Sequence, residues 1–203
     1  PAEYLHGDDS RVLTLLELEA EIARDSKKIS QCNSLVMILC VGSREKERPY
    51  CSRVCCSQAI KDALKLKEIN PNMEIYVLYR DMRTYGFKED YYKLAAEKEV
   101  KFIRYDLDTK PHVEVAQEGD QNILRVSVVD PMLAQRVIID ADMVALGVAT
   151  VPTASNKELS QLFKLPLNED GFFMEAHMKL RPVDFASDGI FMCGLAHSPK
   201  FID

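Results

Sequence analysis

The chain has 203 residues, 47% of them apolar, and a formal net charge of −6. That is enough for one large domain or two small ones with real cores, and it excludes an intrinsically disordered chain. Basic residues are scattered rather than clustered, which argues against nucleic acid as the main partner. The longest apolar run, residues 35–41, is far too short to span a bilayer. No signal peptide is evident, so a cytoplasmic protein without direct membrane insertion is expected. The chain opens on Pro1 rather than Met and stops at Asp203 just past a motif. A longer protein, cut at both ends, is the expectation.

In chain order, residues 14–23 (TLLELEAEIA) are apolar at helical spacing and rich in helix formers. Residues 34–41 (SLVMILCV) are a continuous apolar run of strand length, the kind buried on both faces of a parallel sheet. A loop containing Gly42 follows, then a helix from about Arg53 to Lys67 and a strand over 74–79 (EIYVLY), which together make a βαβ unit. A second helix is predicted over 91–98 and a strand over 100–105. Residues 111–129 alternate around the turn signal Glu118-Gly119-Asp120 and predict a β-hairpin within a meander. Another buried strand, 142–146, ends at Gly147. A short helix near 158–162 and a last strand over 189–193, opening onto Gly194, complete the reading. Strands alternating with helices define an α/β fold with a parallel sheet.

Six cysteines are present, and four of them fall between positions 40 and 56: Cys40, Cys51, Cys55 and Cys56. One dense cluster in a chain of this size reads as metal binding or redox chemistry rather than a disulfide scaffold. On a continuous helix Cys56 would point about 140° away from Cys51. The four thiols converge only if the helix begins near Cys55, with Ser52 as a possible N-cap. A helix N-terminus favours negative charge, and Arg44, Arg48 and Arg53 lie in the same window. Four sulfurs without a nearby histidine suit an iron–sulfur cluster. A structural zinc site, a Cys55/Cys56 redox dithiol and unligated buried cysteines remain open on spacing alone. Cys32 reads as an ordinary cysteine. Lys61, five residues past Cys56 on the same helix, is a candidate catalytic cation, with a solvated helix lysine as the alternative.

A dinucleotide-binding βαβ unit carries three glycines between its first strand and helix. Here only Gly42 stands in that stretch, and the cysteine loop occupies the rest. Weak or no nicotinamide binding is expected, and Asp81 at the end of the second strand is read as a turn residue. Residues 141–150 (ADMVALGVAT), followed by Pro152, resemble the segment of two-domain flavoprotein disulfide reductases where the chain returns to the flavin domain. Residues 187–194 (SDGIFMCG) resemble a later strand of the same families, but Gly194-Leu195 stands where Gly-Asp is usual, so backbone groups there would replace a side-chain contact.

Cys40-Val41-Gly42-Ser43-Arg44, Pro49-Tyr50-Cys51-Ser52-Arg53-Val54-Cys55-Cys56, Asp170-Gly171-Phe172-Phe173-Met174-Glu175-Ala176-His177 and Lys179-Leu180-Arg181-Pro182 resemble HdrA, the flavin-bearing component of heterodisulfide reductase. The flavin subunits of quinone-interacting membrane-bound oxidoreductase complexes are similar. The resemblance implies a thioredoxin-reductase-like, Rossmann-type FAD/NAD(P)-binding fold. In that reading, residues 1–29 end a first FAD-domain segment, 30–138 form an inserted NAD(P)-binding-like domain with the cysteine loop, and 139–203 begin the second FAD-domain segment. It implies an electron-transfer oxidoreductase with FAD beside a non-ferredoxin [4Fe–4S] cluster. By motif position Cys40, Cys51, Cys55 and Cys56 are the cluster ligands. Gly147, Gly194, Leu195, Ala196 and His197 are the flavin-side residues, and His177 and Arg181 are flavin-site or interdomain candidates. Partner subunits of a heterodisulfide reductase-like complex, and a homodimer, are compatible with it. The rival functions are an NAD(P)H-dependent disulfide reductase using Cys55 and Cys56, and a zinc-stabilised interaction module.

Overall fold

The computed structural model describes residues 3–119 and 121–202. Asp120, the third residue of the expected hairpin turn, lies outside the described residues. The chain divides into two compact units: Pro1–Gly42 with Cys55–Val148, and Ser43–Val54 with Ala149–Asp203.

The first unit is a three-layer α/β structure. Its sheet has the order β1 (Val12–Thr14), β8 (Met143–Val148), β2 (Ser34–Val41), β3 (Glu74–Tyr79), β4 (Lys101–Arg104). Every pairing in it is parallel. The run of apolar residues in β2 follows from its place between β8 and β3, because a central parallel strand is covered on both faces. Leu35, Met37 and Leu39 face a cluster with Leu18 of α1 (Leu15–Ala23), Ala59, Ile60 and Ala63 of α3 (Cys55–Ile69), and Ala95 of α4 (Lys88–Glu97). Val36 and Ile38 face the opposite cluster with Val113 of β5 (His112–Glu118), Leu124 and Val126 of β6 (Gln121–Asp130) and Ile139 of β7 (Gln135–Ala141). Strands β5, β6 and β7 form an antiparallel meander. Alternation along β2 thus separates a helical layer from a meander layer.

α1 is held at its start by a capping box. The Thr14 hydroxyl accepts the Glu17 N–H at 3.2 Å, and the Glu17 carboxylate accepts the Thr14 N–H at 2.7 Å. The short helix α2 (Lys27–Ser30), β1 and β7 carry no separate signal in the sequence. β7 has the alternation of a half-exposed strand, but its pattern runs into β8 with only Asp142 between them, so the two strands read as one long segment.

The second unit has one α-helix among the described residues, α5 (Asn156–Phe163), and a small core of Leu165, Phe173, Phe185 and Met192. The strand expected over residues 189–193 does not form. That stretch folds back on residues 183–185, where Met192 N–H bonds Val183 C=O at 2.8 Å, with one isolated bridge pairing between Asp184 and Phe191. Its apolar pattern buries Met192 but leaves Phe191 69% exposed. A strand needs a neighbouring ladder, and here the backbone groups are satisfied locally.

Candidate functional site

The end of β2 is irregular in a way that positions Cys40. Ile38 pairs with Leu146 and Val41 with Val148, so β2 carries one residue more than β8 over that interval, a β-bulge. Cys40 sits in the bulge, buried, with φ +64°. A non-glycine residue held in the left-handed region costs on the order of 1–3 kcal/mol and persists only when its surroundings enforce it. Part of that enforcement is Tyr105, whose hydroxyl donates to the Leu39 carbonyl inside the protein.

Cys55 and Cys56 open α3, and both are buried. The first-turn N–H groups of a helix are where anionic sulfur is favoured. The Cys56 thiol donates to the Asp81 carbonyl at 3.7 Å, so Asp81 serves through its backbone at the end of β3. Gly147, buried in β8, is packed beneath this turn. A β-carbon there would lie 2.9 Å from Leu39 Cδ2 and 3.4 Å from Cys55 Cβ. The glycine is therefore a close-approach position that seats the cysteine-bearing helix against the sheet.

Ser52 is not the helix N-cap, because α3 begins three residues later, at Cys55. Its buried hydroxyl accepts the Thr150 N–H at 3.0 Å within the second unit. The loop ahead of it is closed by its own backbone. Arg44 N–H bonds Tyr50 C=O at 3.0 Å, and Glu45 and Arg48 exchange bonds at 3.0 and 3.1 Å. The Tyr50 ring meets Phe172 edge-on at 5.4 Å. Arg44 and Arg53 both have positive φ, and the Arg53 N–H points to Cys51 Sγ at 3.3 Å. Four residues between positions 40 and 53, Gly42 included, thus take left-handed backbone. The sequence gives no sign of this at Cys40, Arg44 or Arg53.

Cys40, Cys55 and Cys56 belong to the first unit and Cys51 to the second. Among the described residues no group of three or more His, Cys, Asp or Glu side chains is arranged to hold a metal ion. Cys55 and Cys56, buried sulfur donors at the start of α3, are of the kind an iron–sulfur cluster takes. Cys32 is a buried structural thiol, pushed up to about 11 chiefly by burial and then by Asp142. Cys193 is exposed.

The expected flavin-side residues of the second unit lie on one turn. Gly194, with φ +57°, begins a 3-10 turn through Ala196, and the Ala196 carbonyl accepts the Phe173 N–H at 3.0 Å. Leu195 is half-exposed. His197 lies between Glu175, with Nε2 2.7 Å from Oε2, and Lys200, with Nδ1 2.6 Å from Nζ. An ammonium can only donate, so Nδ1 accepts from Lys200 and Nε2–H donates to Glu175. The Glu175 carboxyl is held below its ordinary range, first by its own backbone N–H and then by His197 and Lys200. His177 has a local role: its Nδ1 faces the N–H groups of Lys179 and Leu180, both at 3.2 Å. Arg181 pairs with Asp184 at 3.6 Å.

Lys61 lies on the exposed side of α3, in ion pairs with Glu19 of α1 and, at 3.4 Å, with Asp62. Asp62, which no sequence motif singles out, is buried, and its Oδ2 has no hydrogen-bond partner. The available signal is its helical register with Cys55, Ala59 and Leu66, a face on which a carboxylate is out of place.

No family model matches the chain. The fold is that of the FAD/NAD(P)-binding reductases of thioredoxin-reductase type. A thioredoxin reductase of Lactococcus lactis aligns over 99% of this chain and 54% of its own, with a TM-score of 0.57 at 16% identity. That of T. acidophilum aligns over 84% and 46%, with a TM-score of 0.50 at 15% identity. In sequence, the chain is 39% identical over 213 residues to the HdrA component of the H(2):CoB-CoM heterodisulfide,ferredoxin reductase of Methanothermobacter thermautotrophicus, covering 98% of this chain and 31% of that protein. It is 40% identical over 169 residues to the HdrA component of the ferredoxin:CoB-CoM heterodisulfide reductase of Methanosarcina acetivorans, covering 82% and 20%. It is 38% identical over 215 residues to HdrA of Methanocaldococcus jannaschii, named as an iron-sulfur subunit of CoB--CoM heterodisulfide reductase, covering 98% and 32%. The chain is a homologue of one segment of HdrA, and it spans about a third or less of the length of these relatives.

Proposed function

We propose that the chain is an electron-transfer segment of an HdrA-like oxidoreductase, in which Cys40, Cys51, Cys55 and Cys56 ligate a [4Fe–4S] cluster that exchanges electrons with FAD. The observation that carries this reading is the backbone around the cysteines: a bulge with a left-handed Cys40, a loop with left-handed Gly42, Arg44 and Arg53, and a helix that starts at Cys55 itself. Strain of this kind concentrates at functional sites. The iron-sulfur name of the Methanocaldococcus relative, matched over 98% of this chain, supports it. As a thiolate ligand Cys56 would give up its donor bond to the Asp81 carbonyl.

Gly194, Leu195, Ala196 and His197 are proposed to face the flavin, through backbone groups and the His197 ring, and Gly147 to belong to the chain's return toward the flavin domain. Residues 1–29, 30–138 and 139–203 are proposed as the domain segments described above. Lys61 is proposed to raise the flavin potential by its charge, so Lys61→Ala in the FAD-loaded protein should lower that potential, and an unchanged potential would remove the role. The partners are other subunits of a heterodisulfide reductase-like complex, in the cytoplasm. Among the described residues no helix is long and apolar enough to cross a membrane.

The test is anaerobic reconstitution of the chain with iron and sulfide, followed by visible and EPR spectra before and after reduction with dithionite. A charge-transfer band that bleaches on reduction, with an EPR signal of a reduced cluster, is expected. Colourless protein with stoichiometric zinc would favour the structural reading. NAD(P)H oxidation with a Cys55/Cys56 dithiol cycling would favour the disulfide reductase.

A further inference from the structure

Helix α3 carries two acids, and they differ in surroundings. Glu68 is exposed and paired with Lys65, whereas Asp62 is 1% exposed. The Asp62 carboxylate is only half served. Its Oδ1 lies 3.4 Å from Lys61 Nζ, and its Oδ2 is buried without a hydrogen-bond partner. Burial makes such a group costly as an anion and much less costly as a neutral acid. A leucine would suit this face better, so the carboxyl is out of place unless its ionisation serves a purpose.

Its position supplies one. Cys55, Ala59 and Asp62 stand at i, i+4 and i+7 of α3, on one face of the helix. Seven residues place Asp62 roughly 10 Å along the axis from Cys55. Ala59, between them, is buried and uncharged. The elements packed on α3 present apolar side chains: Leu15 and Leu18 of α1, Met37 and Leu39 of β2, Ala95 of α4 and Ala145 of β8. The titratable groups of the same cluster are the thiols of Cys32, Cys40, Cys55 and Cys56, with the Tyr79 and Tyr92 phenols at its edge. Lys67, also buried on α3, donates to the Pro71 carbonyl at 3.2 Å. The charges that meet Asp62 are Lys61 and, on the same ammonium, Glu19 of α1. Charge added at the Cys55–Cys56 end therefore acts on Asp62 through protein, where screening is weak. Lys61 is 62% exposed, so its ammonium joins the buried carboxyl to solvent.

We propose that Asp62 is a proton-uptake site coupled to electron transfer: it takes a proton from water when an electron reaches the cysteine-held cluster and returns it when the electron leaves. This rests on the reading that Cys55 and Cys56 are cluster ligands. In the forward step the cluster gains one electron from reduced flavin, and the Asp62 carboxylate gains one proton to become the acid. The net charge of this part of the unit is unchanged. At an effective dielectric of about 20 and about 10 Å, one added negative charge raises the proton affinity on the order of tenfold. Burial has already pushed the carboxyl up to about 6, against the pull of Lys61, so uptake falls near neutral pH.

The test uses the anaerobically reconstituted chain, with iron content and EPR establishing the cluster. Mediated redox titrations at a series of pH values from 5 to 8 then give the reduction equilibrium. In the parent chain, reduction should be about tenfold more favourable at pH 5 than at pH 8. Asp62→Asn should be independent of pH and match the acid limit of the parent. Glu68→Gln, on the exposed side of the same helix, should follow the parent. Infrared difference spectra of the parent at pH 6.5 should gain a protonated-carboxyl band on reduction, shifted by carbon-13 labelling of aspartate and absent from Asp62→Asn. A cluster whose potential does not vary with pH, a pH dependence that Asp62→Asn retains, or reduction without the carboxyl band would overturn the proposal alone. A chain that holds no cluster by iron content and EPR would overturn the reading of the cysteines, and the proposal with it.

Discussion

Asp62→Asn tests the energetics of the helix that carries Cys55 and Cys56. Asp62 is 1% exposed, and burial pushes its carboxyl from an ordinary value of 3.8 up to about 6, with Lys61 pulling the other way. In the unfolded chain the group keeps its ordinary affinity, so between about pH 4 and pH 6 the folded chain binds the proton more tightly than the unfolded one. Stability therefore falls as pH rises through that window. At 1.36 kcal/mol per unit, a shift of about two units removes on the order of 3 kcal/mol by neutral pH. Asparagine keeps the shape and cannot ionise. Urea unfolding of both proteins at pH 4 and pH 7.5 gives the stability difference at each pH. Taking the difference cancels Asp9, Glu17, Glu74 and Asp140, whose lowered pKa values act in the opposite sense and at lower pH. The variant should gain about 3 kcal/mol relative to the parent chain between the two pH values. A gain that does not change with pH, or a variant that loses ground at pH 7.5, would refute the account of a buried carboxylate that Lys61 compensates only in part.

Three further substitutions probe the framework of the cysteine turn. Tyr105→Phe leaves the Leu39 carbonyl of the β2 bulge without its hydroxyl partner and should cost about 1–3 kcal/mol in urea unfolding; an unchanged midpoint would mean the bulge is not held there. Gly147→Ala forces a β-carbon toward Leu39 and Cys55 and should cost about 1–3 kcal/mol, while quickening modification of Cys55 by a thiol reagent. Equal stability and equal thiol reactivity would show that the packing relaxes freely. Thr14→Ala removes the capping box of α1 and should lower stability by about 1 kcal/mol, read by the same unfolding curve.

The fold is legible where burial dictates the pattern. Residues 34–41 and 74–79 read as strands with the bounds that β2 and β3 have, because a parallel strand covered on both faces leaves an uninterrupted apolar run. Residues 14–23 read as a helix, and α1 starts one residue later because Thr14 is its N-cap. Elements that depend on neighbours far along the chain are not legible. β1 has three residues and exists because β8 offers it an edge, and residues 189–193 have a strand's pattern without a ladder to join. The cysteine spacing is visible at once, but not the backbone that carries it. Left-handed conformation at Cys40, Arg44 and Arg53 leaves no mark in residue type, since glycine or asparagine would be the usual sign. The pairing of His197 with Glu175 and Lys200 joins residues 22 and three positions apart across a turn, and only the folded chain brings the two partners to one ring.

Iron content decides most directly whether Cys40, Cys51, Cys55 and Cys56 ligate a cluster. Iron and acid-labile sulfide should be counted per chain after anaerobic reconstitution of the parent chain, of Cys40→Ala, Cys51→Ala, Cys55→Ala and Cys56→Ala, and of Cys193→Ser as an exposed control. The account predicts about four irons and four sulfides in the parent and in the control, with loss in each of the four alanine variants. Iron content that survives Cys40→Ala or Cys51→Ala, or a parent chain that takes up zinc and no iron, would contradict it.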